Sequence, residues 1–189
     1  ASLRCVDLVE TLVSPEQLPS VEAIWRQLEA RRRGAHEVPW VQAVLRVLEL
    51  EDYRALARHE PGWIAARLGV SEDEESRCVD FLRSSGLVVE QGGLLEEAGV
   101  RAVDTRRHPE IGRALKAHWS AVAGQRIEAG APGQFSYNVF VVSDADFERI
   151  RALHLRYFRE LRAVVADSQP GQRVCVANVQ LFALDADQA

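Results

Sequence analysis

Trp63-Ile64-Ala65-Ala66-Arg67-Leu68-Gly69-Val70-Ser71 decides how the chain folds. The stretch reads as a short helix, a tight turn at Gly69, and a serine that caps a second helix. That second helix is expected over 72–85, with Val79, Phe81 and Leu82 buried and Gly86 as its stop. Leu87-Val88-Val89-Glu90 and Leu94-Leu95 then read as short strands around the turn Gln91-Gly92-Gly93. Helix, turn, helix and a two-stranded wing make the pattern of a winged helix-turn-helix. Its expected core is Trp63, Leu68, Val79 and Leu82.

Toward the N-terminus, Val21, Ile24, Trp25 and Leu28 recur at helical spacing and predict a helix over 20–33. Arg31-Arg32-Arg33-Gly34 is expected to end it, with cations at the negative helix terminus and glycine as the stop. Pro39 opens a further helix with Val41, Val44, Leu45, Leu48 and Tyr53 on its buried face. Arg58-His59-Glu60-Pro61-Gly62 breaks that pattern.

Toward the C-terminus, 101–108 reads as a loop, 109–123 as a helix, and Gly130-Ala131-Pro132-Gly133 as a linker. Residues 135–142 are rich in β-branched and aromatic side chains and predict a strand. Ser143 and Asp146 start a long helix to about Ala166, with Phe147, Ile150, His154, Phe158, Leu161 and Val165 as its stripe. After the turn Ser168-Gln169-Pro170-Gly171, residues 173–184 predict a closing strand. The expected fold is therefore α+β. A helical N-terminal part (1–60) precedes a central winged helix-turn-helix (61–107), and a C-terminal strand-helix-strand unit with its leading helix (108–189) closes the chain.

Composition removes several function classes. Hydrophobic content of 47% and charged content of 27% are those of a globular chain with a real core. No apolar run reaches the roughly 18 residues of a membrane span, and no signal peptide is visible, so a cytoplasmic location is expected. Cys5, Cys78 and Cys175 are too scattered for a zinc site or a disulfide framework and read as reduced, buried, small apolar side chains. The net charge of −5 lacks the basic excess by which nucleic-acid-binding domains neutralise phosphate. Lys116 is the only lysine, and the chain opens at Ala1 without a methionine, as after initiator removal or in a fragment.

No motif supports catalysis or cofactor binding. There is no Gly-x-Ser-x-Gly elbow, no P-loop, no dinucleotide fingerprint and no His-Glu-x-x-His. The chain is accordingly read as non-enzymatic, with no cofactor and no metal. The acidic run Glu72-Asp73-Glu74-Glu75 lacks EF-hand spacing and reads as a solvated first turn that suits the helix dipole. The same carboxylates oppose phosphate where a DNA-reading helix would meet the major groove. If nucleic acid is touched at all, the candidates are Arg31, Arg32, Arg33, Arg101, Arg106 and Arg107, should they converge.

The strands 135–142 and 173–184 raise a different expectation. Joined through a long helix, they are most simply parallel neighbours with a right-handed crossover. Both carry apolar residues on two faces, and one helix covers only one. The helix at 109–123 or a second copy must cover the other, which makes Phe135, Tyr137, Val139, His154 and Phe182 candidate interface residues in a homo-oligomer.

From about Val38 onward the chain resembles the Fsuc-major domain family of bacterial presumed regulators. The likeness rests on 63–71, on Leu82 to Leu87 with Gly86, on the strand from Phe135 with the helix after Ser143, and on Asn178-Val179-Gln180-Leu181-Phe182-Ala183-Leu184. Members end in a similar Asn-x-Gln-Leu-Phe-Pro-Leu; Ala183 stands here where proline is usual. The resemblance implies an upstream Xre-type helix-turn-helix in many members, with 1–35 as the connector that follows it. The expected function is a regulatory module of a bacterial transcriptional-regulator-type protein, serving oligomerisation, partner contact or effector sensing. The alternative is a stand-alone protein–protein interaction module with no role on DNA.

Overall fold

The computed structural model describes residues 22, 26–27, 29–30, 33–34, 37–98 and 109–185. They fall into two compact units. The described residues up to His118, with Gln172–Val174, form the first; Trp119–Gly171 and the described residues from Cys175 onward form the second.

The first unit contains α1 (Val41–Val47), α2 (Glu51–Arg54), α3 (Trp63–Leu68), α4 (Glu72–Ser84), β1 (Val88–Gln91) and β2 (Leu94–Glu97). Val41, Ala43, Val44, Leu45 and Val47 are all buried, so α1 is apolar nearly all round and lies within the core. It packs against α3 and α4. Gly69, at φ +66, ends α3 in the left-handed conformation that a side chain would resist. Two residues later, the Ser71 hydroxyl accepts the Glu74 N–H at 3.1 Å and starts α4. Gly86 (φ +64) closes α4, with the Leu87 N–H reaching the Leu82 carbonyl at 2.9 Å. The strands are antiparallel, from Val88↔Glu97 to Gln91↔Leu94, around Gly92 and Gly93, both at positive φ as a two-residue hairpin turn requires. The fold is thus mixed helix with a small antiparallel sheet, consistent with α+β.

The core differs from expectation at three positions. Ile64 is fully buried, while Trp63 is half-buried and sets its ring edge-on to Tyr53 with centroids 5.5 Å apart. Phe81 is half-buried, and its ring lies where a Cβ on Gly34 would come within 2.6 Å. Gly34 is itself buried and helical, and its carbonyl accepts the Val38 N–H at 2.9 Å. It permits a close ring contact and does not stop the helix.

Helix α5 (Pro109–Glu128) begins in the first unit, where Ile111 and Leu115 are buried, and continues into the second. It runs past the expected end at Ala123 to a turn at Gly130, where the Ala131 N–H reaches the Arg126 carbonyl at 2.9 Å. Helix α6 (Asp144–Asp167) starts where expected, capped by the Ser143 hydroxyl on the Asp146 N–H at 3.2 Å. The strands expected at 135–142 and 173–184 are not formed. Neither segment joins a sheet, and among the described residues no backbone–backbone hydrogen bond ties either to another segment. Two strands without further support do not hold a sheet in water, and β1 and β2 pair only with each other, so neither completes one here. No described helix is long and apolar enough to cross a membrane.

Candidate functional site

A buried polar network organises the first unit. The residue before α3 is Gly62, at φ +86, which offers no side chain to cap the exposed N–H groups of that helix. Glu75, on α4 and only 2% exposed, supplies the missing acceptor. One carboxyl oxygen accepts the Gly62 N–H at 3.1 Å and the other accepts the Ala65 N–H at 2.6 Å. His59 Nε2 stands 3.9 Å from that carboxyl group. Across the ring, His59 Nδ1 lies 3.2 Å from the Tyr53 hydroxyl. That hydroxyl also accepts the Leu95 N–H at 3.1 Å. The His59 N–H reaches the Gly93 carbonyl at 2.7 Å. Five polar contacts therefore tie α2, the 59–62 loop, α3, α4 and the hairpin together.

Burial sets the protonation of this network. Desolvation lowers the His59 pKa from 6.5; Glu75 and Glu90 pull it back up and Arg83 opposes them. Desolvation likewise raises the Tyr53 pKa above 10.0, offset in part by its hydrogen bond from Leu95. His118, edge-on to Trp40 at 5.6 Å, is also lowered by desolvation, with Glu74 acting the other way. A histidine depressed in the folded state leaves its full contribution to stability above pH 6.5. That contribution is lost as pH falls through the folded value, because the unfolded chain then binds the extra proton. Lowering pH from 7 to 5 should therefore reduce the urea midpoint of the first unit. The slope should not exceed about 1.4 kcal/mol per pH unit for each histidine, and His59→Gln should flatten it. An equal slope in wild type and variant contradicts the assignment to His59.

The outward face of α4 is acidic. Glu72, Asp73 and Asp80 are exposed. Its two cations are engaged: Arg77 pairs with Glu74, and Arg83 lies 3.5 Å from Glu90 on β1. Of the six arginines considered for nucleic acid, Arg33 is exposed, while Arg31, Arg32, Arg101, Arg106 and Arg107 lie outside the described residues. Among the described residues no cluster of three or more His, Cys, Asp or Glu side chains is placed to hold a metal ion. Cys78 is buried, and desolvation with Glu74 beside it pushes its thiol up to about 12, which leaves it protonated and unreactive. Cys175 is exposed and so departs from the expected burial; Cys5 lies outside the described residues.

The second unit presents an apolar surface. Of the large hydrophobic residues exposed among the described ones, only Val89 belongs to the first unit; the rest run from Ile127 to Leu184. The candidate interface residues Phe135, Tyr137, Val139 and Phe182 are all among them, with Tyr137 94% exposed. His154 is half-buried against Phe158, ring centroids 4.8 Å apart. Asn178 and Gln180, from the closing sequence motif, both donate to the Ser120 hydroxyl on α5, the former at 3.1 Å.

The Glu75 cap was missed in the sequence, although the signal was there. Glu75, Cys78, Val79 and Leu82 share one helical face. A carboxylate on that face must find donors in the core.

These features sit in a chain that belongs to the family described as Domain of unknown function (DUF4423), whose model matches residues 20–184. No curated protein and no solved structure gives a match.

Proposed function

We propose that the chain is a non-catalytic regulatory module of a bacterial transcriptional-regulator-type protein, as its resemblance to the Fsuc-major family implies. In this reading α3, α4 and the hairpin are a winged helix-turn-helix retained as a packing scaffold. The second unit makes the contacts through which the protein assembles or responds. The observation that carries the reading is the division of labour between the units: a closed, hydrogen-bonded core in one and an uncovered apolar surface in the other. The acidic, internally paired face of α4 favours protein over DNA as the immediate partner of this chain. That face also supports the second reading, a stand-alone interaction module.

Crosslinked chromatin capture of the full-length gene product tests the choice. Recovery of discrete DNA loci is expected, while this chain alone retains no duplex at physiological ionic strength. Recovery of no enriched locus selects the stand-alone module. Salt-sensitive, sequence-selective retention by the chain alone overturns the scaffold reading of α4.

A further inference from the structure

We infer that the second unit assembles with a second copy of this chain, residues 135–142 of the two copies pairing as the centre of a sheet that neither copy forms alone. The inference rests on the regulatory-module reading only in naming what that module's contact surface holds. It starts from residue types. Charged residues make up 27% of the chain, yet Phe135-Ser136-Tyr137-Asn138-Val139-Phe140-Val141-Val142 contains none, and neither does 174–184. Strands that end a sheet are normally guarded by charge, by proline or by a bulge, and 135–142 has no charge and no proline. It also carries apolar side chains on both faces, the pattern of a strand buried within a sheet.

Among the described residues this segment lacks the neighbours that such a pattern needs. It makes no backbone–backbone hydrogen bond to another described segment. Tyr137, Val139 and Val141 alternate along the segment and are 94%, 73% and 99% exposed. Helix α6 has no buried residue either, so this unit lacks a closed core of its own.

Area and strand number identify the occupant. A fully buried aromatic residue removes roughly 150–250 Å² from water. The exposed large hydrophobic side chains of this unit therefore amount to on the order of 1,000 Å². A stable interface takes about 800 Å² from each partner. Two copies bring four segments of strand-like composition and two α6 helices, enough for a stable sheet once paired. A two-fold axis also lets a strand meet its own counterpart antiparallel, donor row against acceptor row. The uncharged segments have no cation to offer a phosphate, which argues against nucleic acid as the occupant.

Sedimentation of the full chain between about 1 and 100 µM tests this, with Val139→Lys and Val141→Lys as variants. The expected result is a two-copy mass whose dissociation weakens at least tenfold in each variant, while the thermal transition of the first unit stays in place. Asn138→Cys, in a Cys175→Ser background, should crosslink to its own copy under mild oxidation. A single-copy mass at every concentration overturns the inference, and so does a dimer indifferent to both lysines or a cysteine that fails to crosslink. A monomer that instead binds a different protein through Val139 also overturns it. None of these outcomes touches the regulatory reading, which stands or falls on chromatin recovery.

Discussion

Glu75→Ala is expected to destabilise the first unit by about 3 kcal/mol, the combined effect of two hydrogen bonds to a charged acceptor lost from a buried site. The carboxyl group is 2% exposed and accepts both Gly62 and Ala65 N–H groups. Truncation leaves those donors at the start of α3 facing a cavity, with no side chain on Gly62 to turn toward them. It also removes the negative charge nearest the α3 N-terminus, where the helix dipole favours one. His59 loses the carboxylate that faces its Nε2. Glu75→Gln keeps one carbonyl acceptor and places an amide N–H against the second donor, so it should fall between wild type and alanine. Urea unfolding followed by circular dichroism reads the series. By contrast, Asp73→Ala, two residues away and exposed, should change stability by less than about 0.5 kcal/mol. Equal effects at positions 73 and 75 would mean that Glu75 is merely another acid of the first turn.

How much of this was legible in the sequence depends on the range of the interactions involved. Gly69, Ser71, Gly86 and the Gly92-Gly93 turn act within a few residues of themselves, and the elements they delimit lie where the pattern put them. Glu75 acts across ten to thirteen residues and Tyr53 across more than forty. A composition-based reading of Glu72-Asp73-Glu74-Glu75 as one solvated run could not separate its last member from the others; helical phase could. Gly34 shows the same limit. As a residue type it signals a stop, but here it admits the Phe81 ring, a contact from a distant helix. The segments 135–142 and 173–184 have strand-like side chains but no ladder. Alternation of residue types reports the conformation a chain favours, whereas a sheet also needs neighbours, which the segment's own sequence does not contain.

Leu82→Ala is expected to cost ~2–5 kcal/mol, the range for truncating a leucine in a packed core. Leu82 has no solvent exposure and lies on the face of α4 that also buries Cys78 and Val79. That helix packs on α1, whose buried valines leave little freedom for collapse around the missing atoms. The backbone at the same residue is also constrained: its carbonyl accepts the Leu87 N–H at 2.9 Å through the left-handed turn at Gly86. A cavity cannot easily close by moving this end of α4 without straining the start of β1. In a unit of this size the loss should lower the thermal midpoint by roughly 10 °C or more. Val89→Ala on β1 removes a side chain that is already 49% exposed and should lower it by far less. The ratio between the two midpoint shifts is the measurement that matters. Shifts of similar size would place Leu82 at the surface and undo the assignment of α4's inner face.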